Sequence, residues 1–396
     1  MRAKINIAVF LLSLAAAFVV GILMPADTES ILEENRTPVS MPQLTAESFL
    51  SGEFSTDFEN YLADSVGMRS FFTAQSSSFS KLYGVDLGLS RIMEANKDLG
   101  TGDTGEKKSL LINSDKIEEI FEYDPQSADK YIAMLNFYAQ NLPDGINLYS
   151  MLVPTQIEFE TQLYGNVSDS QKDAIEYIYE NADPRITTID AYSALEAHKG
   201  EYIYFRTDHH WTQLGAYYAY SAFLKAKGLA VPSLFEYTRY SQPDFFGSLY
   251  IQAERPDMDP DTIIYYMKGE NLSTKAFGYQ DDGSPVEYNS VLYWIPGAGE
   301  TLSYRLFLGG DHALLDIPTN TKNGKTILIL KDSYVNAFAP WLTENYEHIL
   351  LIDPRSYHEG LQGVLEQYEP DDVLIMNYVM STTFPTLIYS FQALYQ

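Results

Sequence analysis

The chain has 396 residues, 45% of them hydrophobic, which is enough for a folded α/β domain with insertions and is unlike a disordered segment. Its net charge of −28 argues against nucleic acid and anionic lipid as partners, because both would repel such a surface. It has no cysteine, so disulfides, thiolate catalysis and zinc–thiolate sites are excluded.

The first segment is Arg2 and Lys4 followed by an apolar run from Ile5 to Met24, with Asn6 and Ser13 as its polar side chains. A run of about 20 apolar residues can span a bilayer as a helix, and the positive charge before it orients the body of the chain outside the cytoplasm. The rival reading is a cleaved signal peptide, which this run exceeds in length and for which no clean cleavage site follows. The expected organisation is therefore a transmembrane anchor or signal segment over 1–24, a linker over 25–50 and an α/β domain over 51–396. Either way the body lies on the extracytoplasmic side of the cell membrane.

Ser48 to Tyr83 reads as mostly helical, with Phe54, Phe58, Tyr61 and Leu62 on one face and Asp64 and Arg69 either side of Gly67. Asp98 to Lys108 is rich in Gly, Asp and Lys and reads as a loop. A strand–helix alternation follows. Helices are expected over 127–141, 168–180, 192–198 and 212–227, and strands over 146–153, 186–189 and 202–205. From Tyr237 to Leu308 short alternating runs (262–267, 290–294) separated by Gly, Pro and Asp predict a β-rich insertion. The earlier rhythm returns with strands at 326–330, 348–352 and 372–376 and a helix from about 334 to 345. The fold class this implies is α/β with a mainly parallel sheet.

Two segments carry chemistry. Thr207-Asp208-His209-His210-Trp211 holds an acid, two imidazoles and an indole in a row, between an expected strand and an expected helix. Lys331-Asp332-Ser333-Tyr334 follows an apolar strand and must turn into a helix, which exposes a Ser at the C-terminal edge of the sheet, where open α/β sheets place ligands. A Ser at such a turn is also an ordinary N-cap. Taken together, the two loops supply a nucleophile, Ser333, a base, His210, and an acid to orient it, Asp208. In an extended segment His209 would point away and Asp208 would share a side with His210. A zinc site from Asp208, His209, His210, Asp311 and His312 has suitable ligand types but lacks regular spacing, and no metal or cofactor is expected.

The Thr207–Trp211, Leu308-Gly-Gly-Asp-His312 and Lys331–Tyr334 motifs together resemble the bacterial DHHW family. That family is grouped with SGNH-hydrolase-like proteins that include the alginate O-acetylation proteins. The similarity runs from about Glu34 to the C-terminus. It implies an SGNH-hydrolase-like, flavodoxin-like three-layer domain, anchored at the membrane, with Ser333 as nucleophile, His210 as base and Asp208 as acid. Two features depart from the SGNH pattern: Lys331-Asp332-Ser333 stands where Gly-Asp-Ser is usual, and the acid and base precede the Ser. No oxyanion donor is assigned by the motifs. Gly309, Gly310, Asn336, Tyr378, Trp211 and His209 are candidates for that role or for substrate binding.

The function these features imply is an O-acetyltransferase that acts on an exported or cell-surface polysaccharide through an acetyl-Ser intermediate. The resemblance adds a membrane-bound O-acyltransferase partner as acetyl supplier. A carbohydrate esterase using the same triad, or a non-catalytic polysaccharide-binding protein, are the alternatives. Trp211, Trp294, Tyr250 and Phe246 are candidates to stack on sugar rings, although aromatic side chains more often fill cores.

Overall fold

The computed structural model describes residues 91–95 and 108–395 apart from 114, 161–166, 254–257, 270–273, 281–282 and 293–302, together with isolated positions at 41, 42, 44, 45, 54, 58 and 61. The expected anchor over 1–24 and the loop over 98–107 lie outside the described residues, as do Leu62, Asp64 and Arg69. Among the described residues no helix is long and apolar enough to cross a membrane. Contacts divide the chain into two units. In the smaller one, Phe54, Phe58 and Tyr61 are helical and their rings adjoin at 5.6 and 6.2 Å, as their shared face predicts. The larger, residues 90–97, 103–253 and 259–396, carries all the elements that follow.

Its chain begins with an antiparallel three-stranded sheet, β1 (Arg91–Ala95), β2 (Lys108–Ile112) and β3 (Ile117–Glu119). Helix α1 (Pro125–Asn141) follows, its start set by the Asp124 carboxylate on the amides of Gln126 and Ser127 and by Pro125 in the first turn, where no N–H is missed. Then come β4 (Asn147–Val153), α2 (Gln171–Glu180), β5 (Ile186–Thr188), α3 (Ala191–Glu196) and α4 (Gln213–Ala226). A ribbon of β6 (Thr238–Phe245) and β7 (Asp261–Met267) flanks the short α5 (Ser248–Ala253). The last third holds β8 (Ala276–Tyr279), β9 (Pro285–Tyr288), β10 (Leu314–Pro318), β11 (Thr326–Lys331), α6 (Val335–Phe338), β12 (His348–Ile352), α7 (Gln362–Tyr368), β13 (Asp372–Tyr378) and α8 (Pro385–Ala393).

The main sheet has eight strands in the order β5-β4-β13-β11-β12-β10-β8-β9. The first five are parallel. Strands β11 and β13 are buried along their whole length, and their centres, 327–330 and 373–376, read as unbroken apolar runs, as strands covered on both faces do. From β4 the chain moves outward to β5, and from β11 it moves the other way to β12. A crevice opens at the C-terminal ends between such diverging connections.

The sheet is mixed, not mainly parallel throughout: β10, β8 and β9 continue it antiparallel. The segment expected as a separate insertion over 237–308 therefore splits. Its first half forms the β6–β7 ribbon, and its second half extends the main sheet. Leu292 makes a single bridge to Phe307 instead of the strand expected over 290–294. The stretch 202–205 is not a sheet strand either. It folds back on its own continuation through a bridge of Tyr204 with Trp211, with Thr212 N–H donating to Ile203 O at 2.9 Å. Beyond α6 the helix expected to 345 becomes 3₁₀ over Ala339–Glu344, where Pro340 lacks the N–H that an α-helix would use.

Candidate active site

Ser333 stands just past the end of β11, in the turn to α6. The turn is held by Asp332, whose carboxylate accepts from Tyr334 N–H (3.0 Å), Asn377 Nδ2 (3.1 Å), Tyr378 N–H (2.9 Å) and Ser381 Oγ (2.8 Å). Asp332 thereby ties the end of β11 to the end of β13. Burial pushes its carboxyl up, and the Ser381 hydroxyl and these amides restrain the rise. The turn's own bonds use the amides of Tyr334, Val335 and Asn336, and that of Ser333 takes no part in them.

The loop 207–211 is closed at its base by the Tyr204–Trp211 bridge. Asp261, fully buried at the start of β7, accepts from the amides of Arg206 (2.9 Å) and Thr207 (2.8 Å), the Thr207 hydroxyl (2.6 Å), the Tyr202 hydroxyl (2.6 Å) and Arg206 Nε (3.1 Å). The ribbon thus grips the loop immediately before Asp208. On the other side Ser248 N–H donates to Asp208 Oδ2 (2.8 Å) and Gly247 N–H to Thr207 Oγ1 (3.0 Å). Gly247 is required here because any Cβ would overlap the Asp208 side chain.

Asp208 Oδ1 lies 2.6 Å from His210 Nδ1, and His210 Nε2 lies 2.7 Å from Ser333 Oγ. All three side chains are buried. Burial pushes the Asp208 carboxyl up, but the His210 and His209 imidazoles and the Ser248 amide outweigh it and hold the group well below the usual carboxylate range. An ionised Asp208 accepts the proton of Nδ1 and leaves the Nε2 lone pair facing the Ser333 hydroxyl. The ring of Tyr304 lies flat on His210, 3.7 Å away and 9° from parallel, which prevents the imidazole from turning out of line.

Trp211 and Tyr334 interlock the two loops. Trp211 Nε1 donates to Tyr334 O at 2.9 Å, and the Tyr334 hydroxyl donates to His209 O. His210 and Ser333, 123 positions apart in sequence, are thereby held in register.

The other candidates fall elsewhere. Gly309 and Gly310 adopt φ of +77° and +109°, but their amides donate to Arg305 O (3.0 Å) and Phe307 O (3.2 Å) within their own turn and are not oxyanion donors. Asn336 donates to Asp311 Oδ1 (2.8 Å) and accepts from the buried Lys331 Nζ (2.9 Å), inside an ion network that Arg355 and Asp353 complete. Tyr378 stacks on Tyr334 at 4.9 Å. Trp211 is fully buried and has no face for a sugar ring, while Trp294 lies outside the described residues. His209 does not point away: the loop is bent, its ring lies 3.8 Å from that of His210, and Nδ1 meets Ser248 Oγ at 2.8 Å. Asp208, His209 and His210 are close enough to share a metal ion, but both ring nitrogens of His210 are engaged by Asp208 and Ser333. Sequence reasoning missed Asp261, Ser248 and Tyr304, which are distant in sequence from both motifs.

An α/β sheet with a buried Ser–His–Asp hydrogen-bond chain at its C-terminal edge has the geometry that nucleophilic serine chemistry needs. The sequence model of the DHHW protein family matches residues 91–352, and the chain belongs to that family. Among solved structures it is similar to a DHHW family protein from Eubacterium siraeum, with 28% identity and a TM-score of 0.64 over 73% of this chain and 96% of that one. It also shares its fold with PatB1 of Bacillus cereus, at 19% identity and a TM-score of 0.61 over 69% of this chain and 97% of that one; PatB1 has been solved with a sulfonyl adduct as well. No curated protein matches the chain.

Proposed function

We propose that the protein is an O-acetyltransferase that acetylates an exported or cell-surface polysaccharide through an acetyl-Ser333 intermediate. The observation that carries this reading is the unbroken chain Asp208–His210–Ser333, with both of its links at 2.6–2.7 Å. His210 Nε2 takes the Ser333 proton as Oγ attacks the carbonyl carbon of an acetyl donor. The tetrahedral oxyanion collapses, expels the donor's leaving group with the proton from His210, and leaves the acetyl ester on Ser333. A sugar hydroxyl then repeats the sequence: His210 removes its proton, the hydroxyl oxygen attacks the ester carbonyl, and Ser333 Oγ leaves with that proton. Asp208 stabilises the imidazolium in both halves. The Ser333 amide, left out of the turn's bonds, is the candidate donor to the oxyanion.

The apolar run over 1–24 supports a single-pass anchor that keeps this domain on the extracytoplasmic face. There a membrane-bound O-acyltransferase partner would supply acetyl groups. Intact-mass and peptide mass spectrometry after exposure to a chromogenic acetyl ester tests the reading. An acetyl adduct on Ser333 that His210→Ala abolishes is the expected result. Persistence of the adduct in Ser333→Ala, or its absence from the wild type, refutes the intermediate. Acetyl transfer to oligosaccharides, as against release of acetate alone, separates a transferase from an esterase.

A further inference from the structure

Beside the triad is a small cavity walled by Glu118 and Glu119 of β3, Thr155 and Gln156 after β4, and Asp208 and His209. It lies along the C-terminal edge of the parallel strands, the side on which Ser333 stands. No lysine or arginine lines it among the described residues. The neighbouring cations are held elsewhere: Lys116 by Glu160, Arg206 by Asp261, and Lys331 by Asp311. Glu118 is 2% exposed; its Oε2 accepts from Asn113 Nδ2 at 3.2 Å, and its Oε1 has no partner. A buried carboxyl oxygen without a partner is costly, and a single hydroxyl entering this cavity would complete it.

We propose that Glu118 is an acceptor-binding residue that hydrogen-bonds a hydroxyl of an uncharged sugar, and that this carboxyl-lined cavity turns away uronate-type glycans. The proposal rests on the polysaccharide reading above and names the class of its acceptor. A glycan carboxylate placed here would lose water beside the ionised Asp208, with no lysine or arginine among the described lining residues to pair with, and like charges at such range are disfavoured, more so under burial. A neutral hydroxyl meets no such repulsion and can both donate to and accept from a carboxyl group. Burial keeps Glu118 protonated through neutral pH, with its pKa pushed up to about 8, so the carboxyl offers a donor as well as an acceptor.

The test is calorimetric titration of a panel of neutral gluco-, xylo- and manno-hexasaccharides, and of an oligouronate of equal length, into the full chain. At least one neutral hexasaccharide should bind and the oligouronate should bind at least tenfold more weakly. Glu118→Leu should weaken the neutral ligand by about tenfold, as loss of one hydrogen bond predicts, and Glu118→Gln, which keeps a donor and an acceptor, should stay within about threefold of the wild type. If Glu118→Leu does not fold, Glu118→Ala replaces it with the same expectation. The proposal is overturned if no neutral hexasaccharide binds, if the oligouronate binds as tightly, or if removing the carboxyl leaves affinity unchanged. Binding is read without chemistry, so a failure here is distinct from failure to form acetyl-Ser333.

Discussion

Glu118→Gln should change how the stability of the fold depends on pH. Burial pushes the Glu118 pKa from 4.5 to about 8, Glu160 adds to the shift and Lys116 opposes it. The folded state therefore holds a proton between these two values that the unfolded chain has released. Unfolding releases that proton, so the contribution to stability is full below pH 4.5 and is lost as pH rises toward 8. Each pH unit across the window costs about 1.4 kcal/mol, and the loss between about pH 5 and pH 8 is about 4 kcal/mol. An amide at this position cannot titrate and keeps the Asn113 contact, so the variant lacks this slope. Urea unfolding followed by tryptophan fluorescence reads the difference, since Trp211 and Trp341 are both buried and report on global unfolding. The wild type should lose ground steadily against the variant across that window. Parallel stability curves would refute the claim that burial holds Glu118 protonated.

Gly247→Ala places a Cβ into the Asp208 side chain and displaces the acid that orients His210. The acetylation rate of Ser333 should fall by about 100-fold, with the circular dichroism spectrum unchanged; an unaltered rate would show that Asp208 tolerates the shift. Asp261→Ala strands the Thr207 amide and hydroxyl and the Arg206 amide without their common acceptor. It should cost about 3–5 kcal/mol in urea unfolding, and a loss under about 1 kcal/mol would mean the ribbon does not support the loop. Trp211→Phe removes the bond to Tyr334 O and leaves a small cavity where the fully buried indole stood. It should cost about 1 kcal/mol, and its slower Ser333 acetylation should be the larger effect.

Much of the parallel core was legible because its strands have unbroken apolar centres: 327–330, 349–352 and 373–376 have no polar face to confuse their period. Helices α1 and α2 were legible too, with starts expected at 127 and 168 against the observed Pro125 and Gln171. The errors have physical reasons. Glu201–Arg206 has strand-like residues, but its hydrogen bonds close onto 210–212 within the same loop, and no local pattern distinguishes self-pairing from pairing with a sheet. Strands β8 and β9 look like any short hairpin. Only β10, itself unrecognised, shows that they belong to the main sheet. At the site, Asp208, His210 and Ser333 were readable because their chemistry demands one another. Asp261, Ser248 and Tyr304 were not, because each acts through a contact that spans dozens of residues and carries no motif of its own.

The four-residue run that names the family divides its labour in a way the contacts make explicit. Asp208 and His210 form the hydrogen-bonded pair that meets Ser333, and Trp211 is an anchor whose indole N–H reaches the backbone one residue past Ser333. His209 contributes its carbonyl to the Tyr334 hydroxyl and its ring to the flank of His210. Each motif therefore supplies both a reacting group and a clamp on the other motif, since Tyr334 adjoins Ser333 just as Trp211 adjoins His210. His210 and Ser333 lie on loops from different parts of the chain, and in the proposed chemistry an ångström of relative drift between them would cost about 100-fold in rate. A reciprocal pair of hydrogen bonds, each made by the aromatic neighbour of a reacting residue, is a direct solution to that problem. It also explains why the aromatic residues of both motifs are buried and present no face to a sugar.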